Sequence, residues 1–236
     1  MKKTLFILMA ALPLIFVSCD GKQNTDNPGT DVPGGETPGG SESSADKSSS
    51  LGIHALDLGL SVEWADKNLG AKEATAAGDY FAWGETKSKD IFKWETYKFG
   101  AVKESLNKYN ASDGLTVLQP GDDAATQILG GKWRMPTTKE WQELRSKCKW
   151  TWVSKDNVYG AEGTVGDVTI FLPAGGGMNS TTLHDFGNYG FYWTANLVDG
   201  DATSAWSFYV RNMEVSHMDF PRGPYGLMIR AVRDKE

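Results

Sequence analysis

Two cysteines limit how this chain can be stabilised, and the first of them lies in an unusual place. A lysine pair near the start precedes an apolar run over residues 5–17. This run is too short for a comfortable transmembrane helix, and its length and flanking charge are typical of a signal peptide. Cys19 follows the run directly after a small residue, Ser18. We therefore expect residues 1–18 to be a signal peptide.

The segment Phe16-Val17-Ser18-Cys19 resembles the lipobox that lipoprotein signal peptidase recognises. The resemblance implies that Cys19 is the acylated N-terminus and that palmitate-type chains anchor the protein to the outer membrane, because stable anchoring needs more than one chain. An ordinary secretory signal with an incidental cysteine is the alternative. The sequence leaves open whether the protein faces the periplasm or the cell surface.

If Cys19 carries lipid, Cys148 has no partner in the chain, and no intrachain disulfide forms. Stability must then come from a hydrophobic core. Cys148 is expected to be a small buried apolar residue on a helix, and pairing between chains is the alternative. Large aromatic side chains are suitable anchors for such a core. The tryptophans expected in this role are Trp64, Trp83, Trp133, Trp141 and Trp193.

Composition divides the rest of the chain into a tether and a domain. Residues 20–50 consist mainly of Asp, Gly, Pro, Ser, Thr and Glu and cannot bury enough apolar surface to fold. We therefore expect residues 19–50 to form a lipidated, disordered tether and residues 51–236 to form a single domain. The sequence has 24 basic and 30 acidic residues and no basic run, which argues against nucleic acid as a partner.

Capping signals predict two helices in the first half of the domain. Asp122 is expected to cap a short helix that runs through Leu129 and stops at a glycine pair. Thr137 and Glu140 have the spacing of a capping box, which predicts a helix over residues 138–147.

Runs rich in β-branched and aromatic residues, bounded by turn residues, predict short strands. These runs are residues 62–65, 79–83, 150–153, 168–172, 191–193, 205–210 and 227–232. With the helices they predict an α+β fold that has short antiparallel strands and a loop-rich second half. Buried charges are normally paired, so two arginines are expected to form ion pairs. The expected acidic partners of Arg134 and Arg230 are Asp79, Glu85, Asp122 and Asp123.

Several stretches of the domain form an ordered set. They are residues 57–65 (DLGLSVEWA), 78–86 (GDYFAWGET), 122–125 (DDAA), 131–137 (GKWRMPT), 170–175 (IFLPAG), 190–194 (GFYWT) and 226–232 (GLMIRAV). Together they resemble the Fibrobacter succinogenes major paralogous domain, which is common in lipoproteins of Bacteroidetes. The resemblance implies a C-type lectin-like fold, which formylglycine-generating enzymes and the variable proteins of diversity-generating retroelements share. It supplies no reaction, because the family has no established catalytic residues.

The region over residues 206–225 mixes aromatic, arginine and short polar side chains, as recognition surfaces do. In the retroelement proteins the corresponding C-terminal region is the ligand face, and the resemblance implies the same here. An ordinary loop covering the last strands is the alternative. The candidate ligand-binding residues are Trp206, Tyr209, Arg211, Asn212, Glu214, His217, Asp219, Arg222 and Tyr225.

The sequence favours no catalytic or metal site. His54, His184 and His217 lie far apart, without the spacing of zinc ligands. Cys148 lacks the second cysteine that formylglycine-generating enzymes use. Neither a Gly-x-Ser-x-Gly elbow nor the calcium triplets of sugar-binding C-type lectins occur. We therefore expect no enzyme, no cofactor and no metal.

Three functions follow from these patterns, in order of preference. The first is a lipid-anchored, non-enzymatic domain that binds an extracellular glycan, peptide or protein. The second is a structural or assembly component of an envelope or fibre complex. The third is an enzyme of the formylglycine-generating type, which would need a metal or a reactive thiol.

Overall fold

The computed structural model describes residues 45–212 and 214–235. The expected signal peptide over residues 1–18 and the expected lipidation site at Cys19 lie outside this part of the chain. Neither of the two α-helices within the described residues is long and apolar enough to span a membrane.

The domain begins slightly before the expected boundary at Leu51. The Lys47 N–H donates to the Leu129 carbonyl at 2.7 Å, and Ser48 is buried. The residues just before Leu51 therefore pack on the domain, and the expected tether cannot extend as far as residue 50.

The first helix, α1, spans Ala124–Leu129 and is capped by Asp123, whose carboxylate accepts the Thr126 N–H at 3.0 Å. The prediction that Asp122 is the cap is wrong by one residue. The Asp122 carboxylate is instead occupied by two lysines and a tyrosine on the preceding loops.

The second helix, α2, spans Thr138–Lys147, as predicted. The predicted capping box is confirmed: the Thr137 N–H donates to the Glu140 carboxylate at 2.7 Å, and the Glu140 N–H donates to the Thr137 hydroxyl at 3.4 Å. Trp141 and Leu144 face inward and are fully buried, because they share one side of the helix.

The strands of the described residues form small antiparallel sheets. Their bounds are β1 Ala55–Leu56, β2 Val62–Ala65, β3 Trp133–Arg134, β4 Lys149–Lys155, β5 Val158–Val165, β6 Val168–Pro173, β7 Gly177–Asn179, β8 Thr182–His184, β9 Tyr189–Val198, β10 Asp201–Arg211, β11 Glu214–Pro221, β12 Tyr225–Gly226 and β13 Val232–Asp234. The sheet orders are β1-β2-β13-β3, β4-β5-β6, β12-β7-β8 and β11-β10-β9. The α+β class with two helices and short antiparallel strands is therefore confirmed.

Two of the predicted strands are wrong. Over residues 79–83 only Phe81 pairs, in an isolated bridge with Leu227, because glycines in left-handed conformation bracket the segment and its tryptophan turns into the core. Over residues 227–232 the backbone bonds change partner from residue to residue, so regular pairing resumes only at Val232.

The loop-rich part is the first half of the domain, not the second half as predicted. Residues 66–119, all of which are described, contain the 3-10 helix Trp94–Thr96 and isolated bridges but no strand. Aromatic side chains from these loops insert into the core, and the loop backbones do not pair as regular strands. In contrast, residues 149–221 are mostly strands.

The core is aromatic, as predicted from the lack of a disulfide partner for Cys148. All five tryptophans expected as anchors are at most 1% exposed, namely Trp64, Trp83, Trp133, Trp141 and Trp193. Cys148 follows α2 directly and is buried, and burial raises the pKa of its thiol to about 11. The expected burial of Cys148 is therefore confirmed, but the residue lies just after the helix in extended backbone and not on the helix.

The predicted arginine ion pairs have other partners. Arg134 binds the Glu140 carboxylate at 2.6 and 3.0 Å and Asp234 at 2.6 Å. Arg230 is fully buried and donates to the Asn68 side chain and to backbone carbonyls, with no carboxylate in contact among the described residues. Carbonyl oxygens at strand and loop ends thus replace the expected acidic partners.

Asp122 joins the loops of the first half. Its carboxylate accepts hydrogen bonds from the Lys98 and Lys108 ammonium groups, each at 2.6 Å, and from the Tyr109 hydroxyl at 2.7 Å. Burial of Asp122 opposes ionisation, but the bonds from Lys108, Lys98 and Tyr109 outweigh it and hold the carboxyl pKa below its usual value. The loops therefore depend on the ionised form of this residue.

The variant Asp122→Asn is expected to lose about 1–3 kcal/mol of unfolding free energy at pH 7, because the amide cannot replace a carboxylate bonded to two lysines. A carboxyl with a lowered folded pKa stabilises the fold above its unfolded pKa of about 4, and this contribution is lost as pH falls through the folded value. Urea unfolding from pH 7 to pH 3 should therefore show that the difference in unfolding free energy between the wild type and Asp122→Asn becomes smaller as the pH falls. Asp90→Asn is the control, because Asp90 is exposed. A stability difference between the wild type and Asp122→Asn that does not change with pH would contradict the role of the ionised Asp122 carboxylate.

Candidate functional site

The candidate residues from the sequence lie on both faces of the sheet β9-β10-β11. Side chains alternate along β10, so Tyr209 and Arg211 share one face and Trp206 lies on the other. Asp219 is paired directly with Trp206, and His217 with Phe208, so both belong to the Trp206 face. The predicted single recognition surface is therefore divided in two.

Arg222 is not a surface residue, which corrects its place among the candidates. Its side chain is 0% exposed, and its guanidinium lies 5.6 Å from the Trp83 ring and 5.7 Å from the Tyr97 ring. One terminal nitrogen donates to the Lys108 carbonyl at 2.8 Å. Arg222 follows β11 directly and its side chain points inward. It therefore connects the segment after β11 to the loops of the first half of the domain.

The face that carries Tyr209 borders a cavity of about 510 Å³, which we call the aromatic cavity. It lies between this sheet and the small sheet β12-β7-β8, and its aromatic walls are Tyr189, Phe191, Phe220 and Tyr225. The Tyr189 and Phe191 rings stack at 5.3 Å, whereas Phe191 and Phe220 meet edge to face at 5.2 Å. Rings at different angles thus offer both faces and edges to an occupant.

Three polar side chains also line the aromatic cavity: Asn179, His184 and Asp185. Their side chains form no hydrogen bond or ion pair with any other residue within 45–212 and 214–235. His184 and Asp185 are exposed and Asn179 is half-buried. Apolar walls with a few polar groups that lack partners are the usual composition of a binding pocket.

The hairpin that carries these polar groups is conformationally strained. Ser180 and Asp185 have left-handed backbones, with φ of 56° and 60°. A side chain on Gly176 would place its Cβ 2.1 Å from the His184 carbonyl, so only glycine permits the close approach of β7 to this turn. Left-handed non-glycine residues cost about 1–3 kcal/mol each and concentrate at functional sites.

Some sequence candidates support the aromatic cavity from outside. Arg211 donates to the Tyr189 hydroxyl at 2.8 Å and its guanidinium lies 5.6 Å from that ring. Glu214 accepts from Arg211 and from the Tyr209 hydroxyl. These three residues hold Tyr189 in place. Tyr225 is the one candidate among the nine that lines the cavity itself, and Asn212 lies in the β10–β11 turn.

Sequence reasoning missed most of the cavity lining, including Asn179, Asp185, Tyr189 and Phe191. One signal for this part of the site is the glycine run at residues 175–177. A glycine run followed by short polar residues and a tyrosine permits a tight, strained hairpin against an aromatic strand. Only the pairing of β7 with β12 brings these residues to Tyr225.

Chemically, the aromatic cavity can pack apolar surface against its rings and exchange hydrogen bonds through an amide, an imidazole and a carboxylate. Within the described part of the chain, no three His, Cys, Asp or Glu side chains come together as a metal site would require. Comparison of the chain with protein-family models, with curated proteins and with solved structures found no match.

Proposed function

We propose that this protein is a lipid-anchored envelope protein whose domain binds an external ligand in the aromatic cavity. The observation that carries the proposal is the combination of four aromatic walls with three polar side chains that have no partner among the described residues. Water solvates the exposed His184 and Asp185 side chains in the free protein, and a ligand in the aromatic cavity can replace this water with direct hydrogen bonds while it packs on the rings.

The ligand class that suits this lining has a flat or apolar part and several hydrogen-bonding groups. Glycans, peptides and protein segments all meet this description. The proposal is for binding without catalysis, since the polar groups in the cavity are few and the aromatic walls dominate it. Backbone strain at Ser180 and Asp185 supports it, because preformed sites hold their polar groups in place before binding.

The fold and the anchor form part of the same proposal. The ordered motifs that resemble the Fibrobacter succinogenes major paralogous domain support a C-type lectin-like fold, and the α+β arrangement is compatible with it. The lipobox-like segment at Cys19 supports acylation, and the polar residues after it support a tether between membrane and domain. The membrane is then the first partner, through the N-terminal lipid, and the site of action is the outer membrane.

A second candidate function is assembly into an envelope or fibre complex. Three large apolar side chains on or near the walls of this region are exposed: Leu183 on β8 at 41%, Phe186 in the turn after β8 at 55%, and Met218, which lines the aromatic cavity, at 37%. Large apolar side chains left exposed on a folded domain can belong to protein interfaces. Stable co-purification with other envelope proteins, lost in Phe186→Ser, would support this function over binding of a soluble ligand.

The test uses the full chain, purified in detergent, on an array of glycans and peptides. Tyr225→Ala removes one aromatic wall, and Asp185→Asn removes the charge while asparagine tolerates the left-handed backbone. Each variant is expected to lower the affinity for the ligand found by about tenfold or more, as the loss of a central aromatic or charged contact does. Trp206→Ala, on the opposite sheet face, should leave affinity unchanged. An array without any ligand, or a ligand lost only in Trp206→Ala, would refute the proposed site.

A further inference from the structure

A second aromatic surface lies on the hairpin β4–β5, outside the aromatic cavity. Trp150 and Trp152 are two residues apart on β4 and therefore share a face. Trp152 is paired with Ala161 on β5, so Tyr159, two residues from Ala161, belongs to that face as well. The hairpin thus presents a row of three aromatic side chains.

These rings are held in fixed orientations. The Trp150 indole N–H donates to the Arg145 carbonyl at 3.0 Å, and a Cβ on Gly163 would lie 2.7 Å from the Trp150 ring. Trp150 therefore packs closely on Gly163, where any larger side chain would clash with its ring. The Trp152 and Tyr159 ring planes are within 5° of parallel, with centroids 6.4 Å apart, and Tyr159 is 52% exposed. A rigid aromatic surface loses little entropy on binding.

Side-chain amides face this aromatic row. Two adjoining depressions of about 460 and 330 Å³ share Trp152 and Asn212, and the smaller one also contacts Asn188. Together they form what we call the hairpin groove. Both asparagine side chains are exposed and have no hydrogen-bond partner in the part of the chain that the structure describes. Each amide offers two donors and an acceptor to an occupant.

The charges along the hairpin groove largely cancel. Arg145, Arg211 and Glu214 line its larger depression, and Glu214 forms an ion pair with Arg211. One exposed arginine is left without an ionic partner among the described residues, which is too little to require a charged ligand.

We propose that the hairpin groove binds a neutral oligosaccharide chain. A pyranose ring has an apolar C–H face that packs on flat aromatic rings, and its edge carries hydroxyl groups that exchange hydrogen bonds with side-chain amides. Three aromatic side chains spread along one hairpin face, two of them parallel, offer apolar surface to more than one sugar unit and therefore suit a chain better than a single compact ligand. A peptide would instead pair with the free edge of β4 or insert alternate side chains into deep pockets, and the groove offers a shallow face.

The hairpin groove is separate from the aromatic cavity. Arg211, which lines the groove, contacts Tyr189, which lines the cavity, so this pair forms the wall between them. Binding in the groove therefore does not require the function proposed for the cavity, and each site has its own variants.

The test titrates the full chain, in a detergent without a sugar headgroup, with β-1,4-linked hexasaccharides of glucose, xylose and N-acetylglucosamine, an α-1,4-linked glucose hexasaccharide and a proline-rich decapeptide. Calorimetry gives the affinity. Because the chain has nine tryptophans, a shift in tryptophan emission is assigned to the hairpin groove only if it is lost in Trp152→Ala. At least one hexasaccharide is expected to bind and to shift the emission. Trp152→Ala should weaken it at least tenfold, and Tyr159→Ala and Asn212→Ala several-fold.

Matched controls separate this site from its alternatives. Trp206→Ala removes another half-buried tryptophan, and Tyr225→Ala alters the aromatic cavity, so both should leave hexasaccharide affinity unchanged. If Trp152→Ala fails to fold, Tyr159→Ala still tests the site, because Tyr159 is exposed and its replacement should not disturb the core. Absence of binding by every hexasaccharide, loss only in Tyr225→Ala, or tighter binding of the decapeptide through Trp152 would each overturn the carbohydrate assignment.

Discussion

Replacing Trp141 by alanine is expected to lower the free energy of unfolding by about 3–5 kcal/mol, the range for truncating a buried large aromatic side chain. Trp141 is 0% exposed and stacks on Phe208 at 4.6 Å. It also meets Trp64 edge to face at 4.7 Å and Tyr192 at 5.5 Å. One side chain thus joins α2 to β2, β9 and β10, and its loss leaves a cavity where these elements meet.

Urea unfolding monitored by far-UV circular dichroism checks this expectation. Trp141→Phe should cost less than Trp141→Ala, because it retains a ring for stacking and removes a buried indole N–H that has no acceptor among the described residues. Half-buried Trp206→Ala is the matched control and should cost clearly less. A loss for Trp141→Ala no larger than for Trp206→Ala would contradict the claim that the aromatic core holds the fold.

Replacing Arg230 by alanine is expected to cost about 3–5 kcal/mol, because a buried acceptor left without its donor costs about 1–3 kcal/mol and Arg230 serves several acceptors. Its guanidinium donates to the Asn68 side chain at 2.8 Å and to the Phe171 carbonyl at 2.9 Å. It also donates to the carbonyls of Ala65 and Asp66, each at 3.1 Å. Alanine would leave all these buried acceptors without a donor. Burial lowers the pKa of Arg230 to about 10, so the residue is still charged at pH 7.

The Arg230→Lys variant should recover part of the loss, because lysine keeps the charge but cannot reproduce the planar fork of donors. Arg233→Ala is the control, since Arg233 pairs with Glu63 at the domain surface and such pairs contribute about 0–1 kcal/mol. Both are measured by urea unfolding at pH 7. If Arg230→Ala and Arg233→Ala cost the same, the carbonyl network around Arg230 is not a major source of stability.

Local signals in the sequence predicted some of the regular elements. The helix Thr138–Lys147 follows from the capping box at Thr137 and Glu140, which acts within one turn and needs no distant partner. Strand Val62–Ala65 follows from its β-branched and aromatic residues, and the five tryptophans expected as anchors are buried, whereas the other four of the nine are half-buried. These features are local or compositional, so a single sequence contains them.

Features that depend on distant contacts were predicted poorly. Arg230 was expected to pair with a carboxylate, but its acceptors come from residues 65–68 and 171, which only the fold brings together. Residues 79–83 have strand-like composition, yet their side chains are needed in the core, and burial overrides β-propensity.

The candidate site illustrates the same limit. The sequence pointed to residues 206–225 as a region, and Tyr225 does line the aromatic cavity. The alternation of side chains along β10 sends Trp206 and Tyr209 to opposite faces, which a list of residues does not reveal. The opposite wall comes from β7, β8 and the turn at Asp185, whose pairing is non-local.

Hydrogen–deuterium exchange of the full chain, with and without the ligand found on the array, tests the proposed cavity most directly. The expected result is slower exchange in residues 177–191 and 218–227, because a bound ligand covers both walls of the aromatic cavity and suppresses local opening. Tyr225→Ala should abolish this protection. Protection confined to the Trp206 face, or none in residues 177–191, would contradict the assignment of the aromatic cavity as the binding site.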